Sequence, residues 1–136
     1  MVVYKAYKFR MYPNITNEIV KNNDLIITEN LKIKKMIQKG NKHINKGILN
    51  TSLSEIIRQL EYKCKWLNKK LIRVDTYFPS SQYCNVCGEI NKKVKDLSIR
   101  KWICKKCKNE NDRDINASIN ILEEGIRKYY QEQMNF

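Results

Sequence analysis

Cys84-Asn-Val-Cys87 and Cys104-Lys-Lys-Cys107 are two Cys-x2-Cys motifs that lie sixteen residues apart. Two residues between cysteines allow a tight turn to point both sulfurs at one position, and Gly88 allows the backbone angles that such a turn needs. Two such turns on neighbouring hairpins complete a tetrahedron of thiolates around one Zn2+. Because four thiolates leave no open coordination position, the motifs predict a structural zinc site rather than a catalytic one.

The alternative for four cysteines is a pair of disulfides, which this spacing disfavours in a chain kept in a reducing compartment. A zinc ion with four thiolates keeps a net negative charge, which nearby lysines can offset. The same lysines could contact phosphate, and the sequence leaves both roles open. They are Lys92, Lys93, Lys105 and Lys106.

Three other residues bear on the metal site. Cys64 lies on an apolar helical stripe and is expected to be a small core residue. His43 lies in a basic stretch with no cysteine beside it and is expected to be an ordinary surface residue. Trp102 precedes Cys104 by two positions; it is expected to pack beside the metal turn, although stacking on a nucleobase is the alternative.

The net charge of the chain indicates what kind of partner it binds. The 136 residues hold 27 Lys plus Arg against 14 Asp plus Glu, a formal net charge of +13. Such an excess favours a polyanion, so nucleic acid is the expected partner. The alternative is lysine enrichment by an AT-rich genome, since 21 of the cations are Lys and 6 are Arg. No apolar run approaches the ~20 residues of a membrane span, and no signal-peptide pattern opens the chain, so a cytoplasmic location is expected.

Hydrophobic periodicity predicts an α+β chain. Alternation over residues 4–12 predicts a strand that Pro13 ends, and residues 16–23 suggest a short helix. The apolar run 24–28 predicts a strand with Glu29 at its end. Residues 32–50 are expected to be partly loop, with Gly40 and Gly47 as breakers.

The second half of the chain repeats this alternation of helix and strand. Ser52-Leu-Ser-Glu55 reads as a capping box that opens a helix, and residues 71–77 read as a strand. After the cysteines, a final amphipathic helix is predicted. The expected buried stripes of the two helices are Ile56, Leu60, Cys64 and Leu67 in the first, and Ile115, Ile119, Leu122 and Ile126 in the second.

Two carboxylates could form a second site. Glu29 ends an apolar strand and Asp114 opens the last helix, so the two could converge on a divalent metal ion. The alternative is simpler, because acidic residues are common in a first helical turn, where they complement the helix dipole.

Several motifs together resemble the TnpB family of insertion-sequence-encoded, RNA-guided DNA endonucleases, which are related to type V CRISPR effectors. They are residues 5–14, residues 24–31, residues 58–63, Phe78-Pro-Ser-Ser81, both cysteine pairs and Asp112-Arg-Asp-Ile-Asn-Ala117. The resemblance implies a RuvC nuclease of the RNase H type, with a zinc ribbon inserted before the last helix. It divides the chain into an N-terminal strand remnant (1–14), a partial RuvC-like region (15–79), the zinc ribbon (80–111) and a C-terminal RuvC-like helix (112–136).

The resemblance also assigns catalytic roles and exposes a gap. Glu29 corresponds to the second acidic residue of the RuvC site and Asp114 to the third, with Asn116 and Asn120 in the surrounding motif. Asn30 replaces the aspartate that usually follows the glutamate. The first catalytic aspartate, in its Gly-x-Asp-x-Gly setting, has no counterpart, and the guide-RNA-binding region and first strands are missing between residue 14 and the strand of Glu29.

An internally truncated DNA-binding protein that lacks nuclease activity is therefore expected. Two carboxylates would hold at most one hydrated Mg2+, weakly. Three alternatives stay open: an endonuclease subunit completed in trans, a zinc-stapled module that binds RNA or protein, and a decayed reading frame. Exposed sheet edges would favour self-association or association with a fuller relative.

Overall fold

A computed structural model describes residues 12–30, 45–75 and 77–135, without the side chains of Tyr12, Pro13 and residues 45–53. Helices and strands are mixed, as expected. The chain divides into two compact units, Met1–Thr76 and Tyr77–Phe136. Most of the strand predicted for residues 4–12, and the predictions for Gly40 and His43, lie outside the described residues.

In its described residues, the first unit contains helix α1 (Tyr12–Asn22), strand β1 (Leu25–Glu29), helix α2 (Asn45–Trp66) and strand β2 (Lys70–Val74). The short helix and the strand ending at Glu29 are thus confirmed. Pro13 lies inside the start of α1 instead of ending a strand. Its fixed φ suits a first helical turn, where its missing N–H costs nothing.

Strands β1 and β2 pair in parallel, in a register that places Leu25 opposite Lys70 and Glu29 opposite Val74. Three consecutive residues of β1, Ile26 to Thr28, are buried. Because successive side chains point to opposite faces, β1 is covered on both faces, as strands of parallel sheets usually are. The core cluster of this unit joins α1, β1 and α2: Ile19, Val20, Ile26, Ile56, Leu60 and Cys64.

Helix α2 and strand β2 correct two predicted boundaries. The helix starts at Asn45 and runs through Gly47, so Gly47 is not a breaker and Ser52 does not open the helix. Burial of Ile56, Leu60 and Cys64 stabilises α2 more than a capping box would. One glycine inside a helix costs only about 1 kcal/mol of stability. Leu67, outside α2, is 50% exposed, and Tyr77, beyond the end of β2, is 72% exposed.

The second unit contains two short hairpins and a long helix. The first hairpin is marked by an antiparallel bridge between Tyr83 and Ile90. A 3-10 turn (Lys92–Lys95) leads to the second hairpin, in which strands β3 (Lys101–Ile103) and β4 (Glu110–Asp112) pair in antiparallel fashion.

Helix α3 (Arg113–Met134) follows β4 directly. The Asp112 carboxylate caps it by accepting hydrogen bonds from the amides of Asp114 and Ile115. The helix was predicted, but its buried stripe was not. Ile115 is 63% exposed, and Ile119, Leu122 and Ile126 are only half-buried. The buried residues of α3 are Arg113, Asn116, Ala117, Asn120, Ile121 and Gly125.

Candidate metal centre and nucleic-acid interface

The four predicted cysteines converge. Their sulfurs all lie within 4.8 Å of one another. Cys84 Sγ is 3.6 Å from Cys107 Sγ, and Cys87 Sγ is 3.6 Å from Cys104 Sγ. These separations exceed the ~2.05 Å of a disulfide, and all four cysteines are free thiols. The disulfide alternative is excluded in this structure, and the cluster is able to hold one metal ion.

Each Cys-x2-Cys motif forms the tip of one hairpin, with the same backbone pattern. In the first, the Cys84 amide donates to the Glu89 carbonyl and the Gly88 amide donates to the Cys84 carbonyl. In the second, the Cys104 amide donates to the Asn109 carbonyl and the Lys108 amide to the Cys104 carbonyl. We call these two turns, residues 84–89 and 104–109, the first and second knuckle.

The first knuckle stabilises a thiolate at Cys84. Burial alone would raise the pKa of this thiol, yet its pKa falls to about 6 because the amides of Cys87 and Val86 and the side chain of Asn111 donate to the sulfur. The Asn111 side-chain nitrogen lies 3.6 Å from Cys84 Sγ. Asn109 orients it by donating to the Asn111 oxygen at 2.8 Å.

Cys107 behaves in the opposite way. The Asn109 amide lowers the pKa of Cys107, but burial and hydrogen bonds with the three other thiols raise it to about 12. Four sulfurs this close cannot all ionise unless a cation compensates their charge. The cluster therefore has the chemistry of a cation site.

Trp102 packs beside the knuckles, as predicted. It is 8% exposed and forms a buried cluster with Val94, Cys84 and Cys104. This packing leaves no accessible ring face of the kind that stacking on a base requires. Cys64 is also confirmed as a core residue, 2% exposed in the first unit.

Asn116 and Asn120 bind the first hairpin to α3, a role that the sequence did not reveal. The Asn116 side chain accepts from the Asn85 amide at 2.8 Å and donates to the Tyr83 carbonyl at 2.6 Å. Asn120 donates to the carbonyls of Ser80 and Tyr83, at 2.7 and 2.8 Å. Asparagines at steps of four between apolar residues were the available signal.

Among the residues whose side chains the structure describes, exposed cations concentrate on residues 92–108, which we call the basic segment. It has one carboxylate, Asp96, and eight exposed cationic side chains: Lys92, Lys93, Lys95, Arg100, Lys101, Lys105, Lys106 and Lys108. The ion pairs that Arg100 and Lys106 make with Asp114 and Glu89 are long, at 3.7 and 4.0 Å, and exposed. Such pairs contribute little, so most of the positive charge remains available to an anion.

The two predicted carboxylates lie in different units. Glu29 is half-buried at the end of β1. Asp114 occupies the first turn of α3, and 39% of its side chain is exposed. This position, which complements the helix dipole, is the one that both interpretations of Asp114 expected.

Among the residues that the structure describes, none of the helices is long and apolar enough to span a bilayer.

Comparison with known proteins gives the family. Residues 54–121, half of the chain, match the family described as Cas12f1-like, TNB domain. A TnpB-like protein of Acanthamoeba polyphaga mimivirus is 26% identical over 128 residues, which cover 90% of this chain and 24% of the viral protein. The chain belongs to the TnpB family.

Other TnpB relatives are bacterial. A Streptomyces pristinaespiralis protein described as a candidate RNA-guided DNA endonuclease is 33% identical over 112 residues, covering 82% of this chain and 27% of that protein. An Escherichia coli protein with the same description is 29% identical, covering 82% and 30%. This chain thus spans between a quarter and a third of the length of these relatives.

A solved structure has the same fold. A Cas12f1 chain, determined by cryo-EM in a complex with its single guide RNA and target DNA, superposes with a TM-score of 0.55 and 23% identity. The superposition covers 82% of this chain and 31% of the Cas12f1 chain. At this identity, the likeness concerns the fold alone.

Proposed function

We propose that this chain is a transposon-associated nucleic-acid-binding protein whose contact surface is the basic segment. The observation that carries the proposal is the set of eight exposed cations on residues 92–108, within the described part of the chain. This segment shares residues 104–108 with the second knuckle. Helix α3, in contrast, has three cations against four carboxylates. Clustered, exposed lysine and arginine side chains are the groups that contact the phosphates of nucleic acid.

We further propose that the four cysteines hold a structural Zn2+ and that the two hairpins form a zinc ribbon. Zinc–sulfur bonds of ~2.3 Å in a tetrahedron place the sulfurs ~3.8 Å apart, close to the 3.6 Å of the two short pairs. Four sulfur ligands suit either zinc or iron. Zinc fits a structural role because it has no redox chemistry. The ion would fix both knuckles and hence the lysines beside them.

The family supports the rest of the interpretation. Relatives are described as candidate RNA-guided DNA endonucleases, and the Cas12f1 structure contains guide RNA and target DNA. We infer that residues 15–79 and 112–136 are parts of a RuvC-like core around the ribbon at 80–111. In that core Glu29 and Asp114 would be two of three acidic residues. Since the first aspartate is missing, the chain by itself binds nucleic acid without cutting it.

A second candidate function is an endonuclease subunit completed in trans. The observation that favours it is the sheet of the first unit, which has two parallel strands in the described residues, one of them covered on both faces. Parallel sheets normally have more strands. A chain that supplied the missing strands and aspartate would complete the core. Mixing the protein with a separately expressed N-terminal fragment of a relative, and looking for DNA cleavage, tests this function.

Anisotropy titrations with labelled single-stranded DNA, duplex DNA and RNA test the main proposal. Lys92→Gln/Lys93→Gln/Lys95→Gln should weaken binding and flatten the slope of log K against log salt by ~0.7–0.9 per lost phosphate contact. The control, Lys21→Gln/Lys65→Gln/Lys70→Gln, removes the same charge from the first unit and should change the slope much less.

Two results would contradict the proposal. Equal effects of the two triple variants would mean that net charge, rather than the basic segment, drives binding. Binding that hardly responds to salt would indicate a protein-binding module instead.

Elemental analysis of the purified protein tests the metal site separately. One zinc per chain is expected, and protein without zinc would contradict the proposed zinc ribbon.

A further inference from the structure

The buried face of α3 is polar where it meets the first hairpin. Asn116 and Asn120 are 2% and 6% exposed. Between them their side chains make four hydrogen bonds to backbone groups of residues 80–85. A buried amide that fills both its donor and its acceptor fixes the position of the chain it binds, because breaking such a bond leaves a buried polar group without compensation.

One of these hydrogen bonds comes from the turn that carries two of the cysteines. The amide that donates to Asn116 belongs to Asn85, which lies between Cys84 and Cys87 in the first knuckle. The orientation of that amide depends on the turn that brings the two sulfurs together. The position of Asn116 on α3 therefore depends on the shape of the knuckle.

The second hairpin is connected to the same end of α3. Strand β4 runs into the helix without a loop, and the Arg113 amide donates to the Arg100 carbonyl at 2.8 Å. The Arg113 guanidinium, 8% exposed, donates to the Asp96 carbonyl at 2.7 Å. The first turns of α3, which include Asp114, are thus held by both hairpins.

We propose that Asn116 and Asn120 are positioning residues that couple metal binding at the four cysteines to the order of the first turns of α3. The inference rests on the proposed metal site but not on nucleic-acid binding. Metal binding cross-links the knuckles, the first knuckle fixes the Asn85 amide and the Tyr83 carbonyl, and the two asparagines transmit this order to the helix. Asp114 is presented in a fixed position only when the metal is bound.

Coupling of this kind is reciprocal, because a ligand that orders the helix must bind more tightly when the helix is ordered. Loss of the asparagine contacts should therefore lower the affinity of the four cysteines for the metal. Contacts just outside the ligands of a metal typically change its affinity by ~10–100-fold. A ~10-fold weakening is expected for Asn116→Ala/Asn120→Ala, measured by competition with a chromophoric chelator.

Amide hydrogen exchange with mass spectrometry tests the coupling in the whole protein. In the wild type, zinc should slow exchange of residues 113–121 by roughly tenfold or more relative to chelated protein. In Asn116→Ala/Asn120→Ala loaded to the same stoichiometry, zinc should still protect the knuckles and, through the second hairpin, residues 113–115, but it should no longer change exchange in residues 116–121. The matched control is Ser118→Ala, which removes a hydrogen bond inside α3, from Ser118 to the Ile115 carbonyl, and should keep the metal effect.

The proposal is overturned if zinc protects residues 116–121 equally in the wild type and the double variant. Should the double variant fail to fold or to bind zinc, Asn120→Ala decides, since it leaves both bonds of Asn116 in place. A partial loss of the metal effect supports the coupling, and an unchanged effect refutes it. Wild-type protein that never binds metal would instead refute the proposed metal site, which elemental analysis reports independently.

Discussion

At the scale of single residues, the two knuckles share one backbone pattern but differ at the bend. Gly88 has φ +76° and Lys108, at the equivalent place in the second knuckle, has φ +64°. Both values lie in the left-handed region, where a side chain crowds the following carbonyl. Glycine avoids this cost in the first knuckle, and lysine bears it in the second.

Lys108→Gly should therefore stabilise the metal-loaded protein, by about 0.5–1 kcal/mol after the larger unfolded-state entropy of glycine is subtracted. Chemical denaturation of the zinc form measures the change. Lys105→Gly is the matched control: it removes a lysine from the same turn at a residue without positive φ, and should be neutral or destabilising. Equal effects of the two variants would mean that the lost charge, not the backbone, sets the result.

The convergence of the four cysteines was predictable from the sequence, and the residues that support them were not. Spacing of two between cysteines is a local signal, because the same turn that bonds the backbone also aims the sulfurs. Asn111, Asn116 and Asn120 act on groups that are distant in sequence, such as Cys84 Sγ and the Tyr83 carbonyl. Only the folded chain brings those groups together.

At the scale of elements, α1 and α2 are joined by a buried polar contact within an apolar core. Thr16 Oγ1 donates to Gln59 Oε1 at 2.8 Å, and Lys63 Nζ donates to Thr16 Oγ1 at 2.6 Å. Lys63 is 8% exposed, and burial lowers the pKa of its ammonium group. Burial of this ammonium group destabilises the fold unless hydrogen bonds compensate for its lost hydration.

Thr16→Val should consequently destabilise the protein by about 1–3 kcal/mol, since the hydroxyl that serves Lys63 and Gln59 is replaced by a methyl group of similar size. Urea denaturation followed by circular dichroism measures the loss. Adding Lys63→Met to Thr16→Val should recover a large part of it, because the charge is then removed together with its partner. A double variant less stable than Thr16→Val would show that Lys63 does not depend on this hydroxyl.

Prediction of the elements succeeded where burial follows apolar spacing and failed where it does not. Residues 24–28 and the stripe of Ile56, Leu60 and Cys64 were correctly assigned, since their partners are apolar. The buried stripe predicted through Ile115 was wrong, because α3 packs on the backbone of a hairpin. The carbonyls of that backbone accept hydrogen bonds from asparagine side chains, which isoleucine cannot donate. The capping box at Ser52 was wrong as a start signal, because the backbone of α2 is already helical from Asn45.

At the scale of the whole molecule, positive charge is unevenly distributed along the chain. The basic segment has eight cations and one carboxylate, whereas α3 is slightly acidic. Composition predicts a polyanionic partner but does not indicate which surface would bind it. Net charge is a sum over all residues, and only the structure shows which cations of residues 92–108 are exposed.

The chain by itself should not hydrolyse DNA, although it belongs to a family of endonucleases. Two-metal hydrolysis needs ions ~3.5–4 Å apart, one to activate water and one to stabilise the leaving oxygen. In the RuvC-like core that we propose, the aspartate that would bridge the two ions has no counterpart. Glu29 and Asp114 would then have to hold the metal without it, and Mg2+ binds weakly to so few carboxylates because it needs six oxygens in octahedral geometry. The expected result is intact single-stranded and duplex DNA after long incubation with Mg2+ or Mn2+, judged on denaturing gels. Cleavage that disappears in Glu29→Ala, but persists in the surface control Glu18→Ala, would show that two carboxylates suffice, because a contaminating nuclease would act equally with both variants.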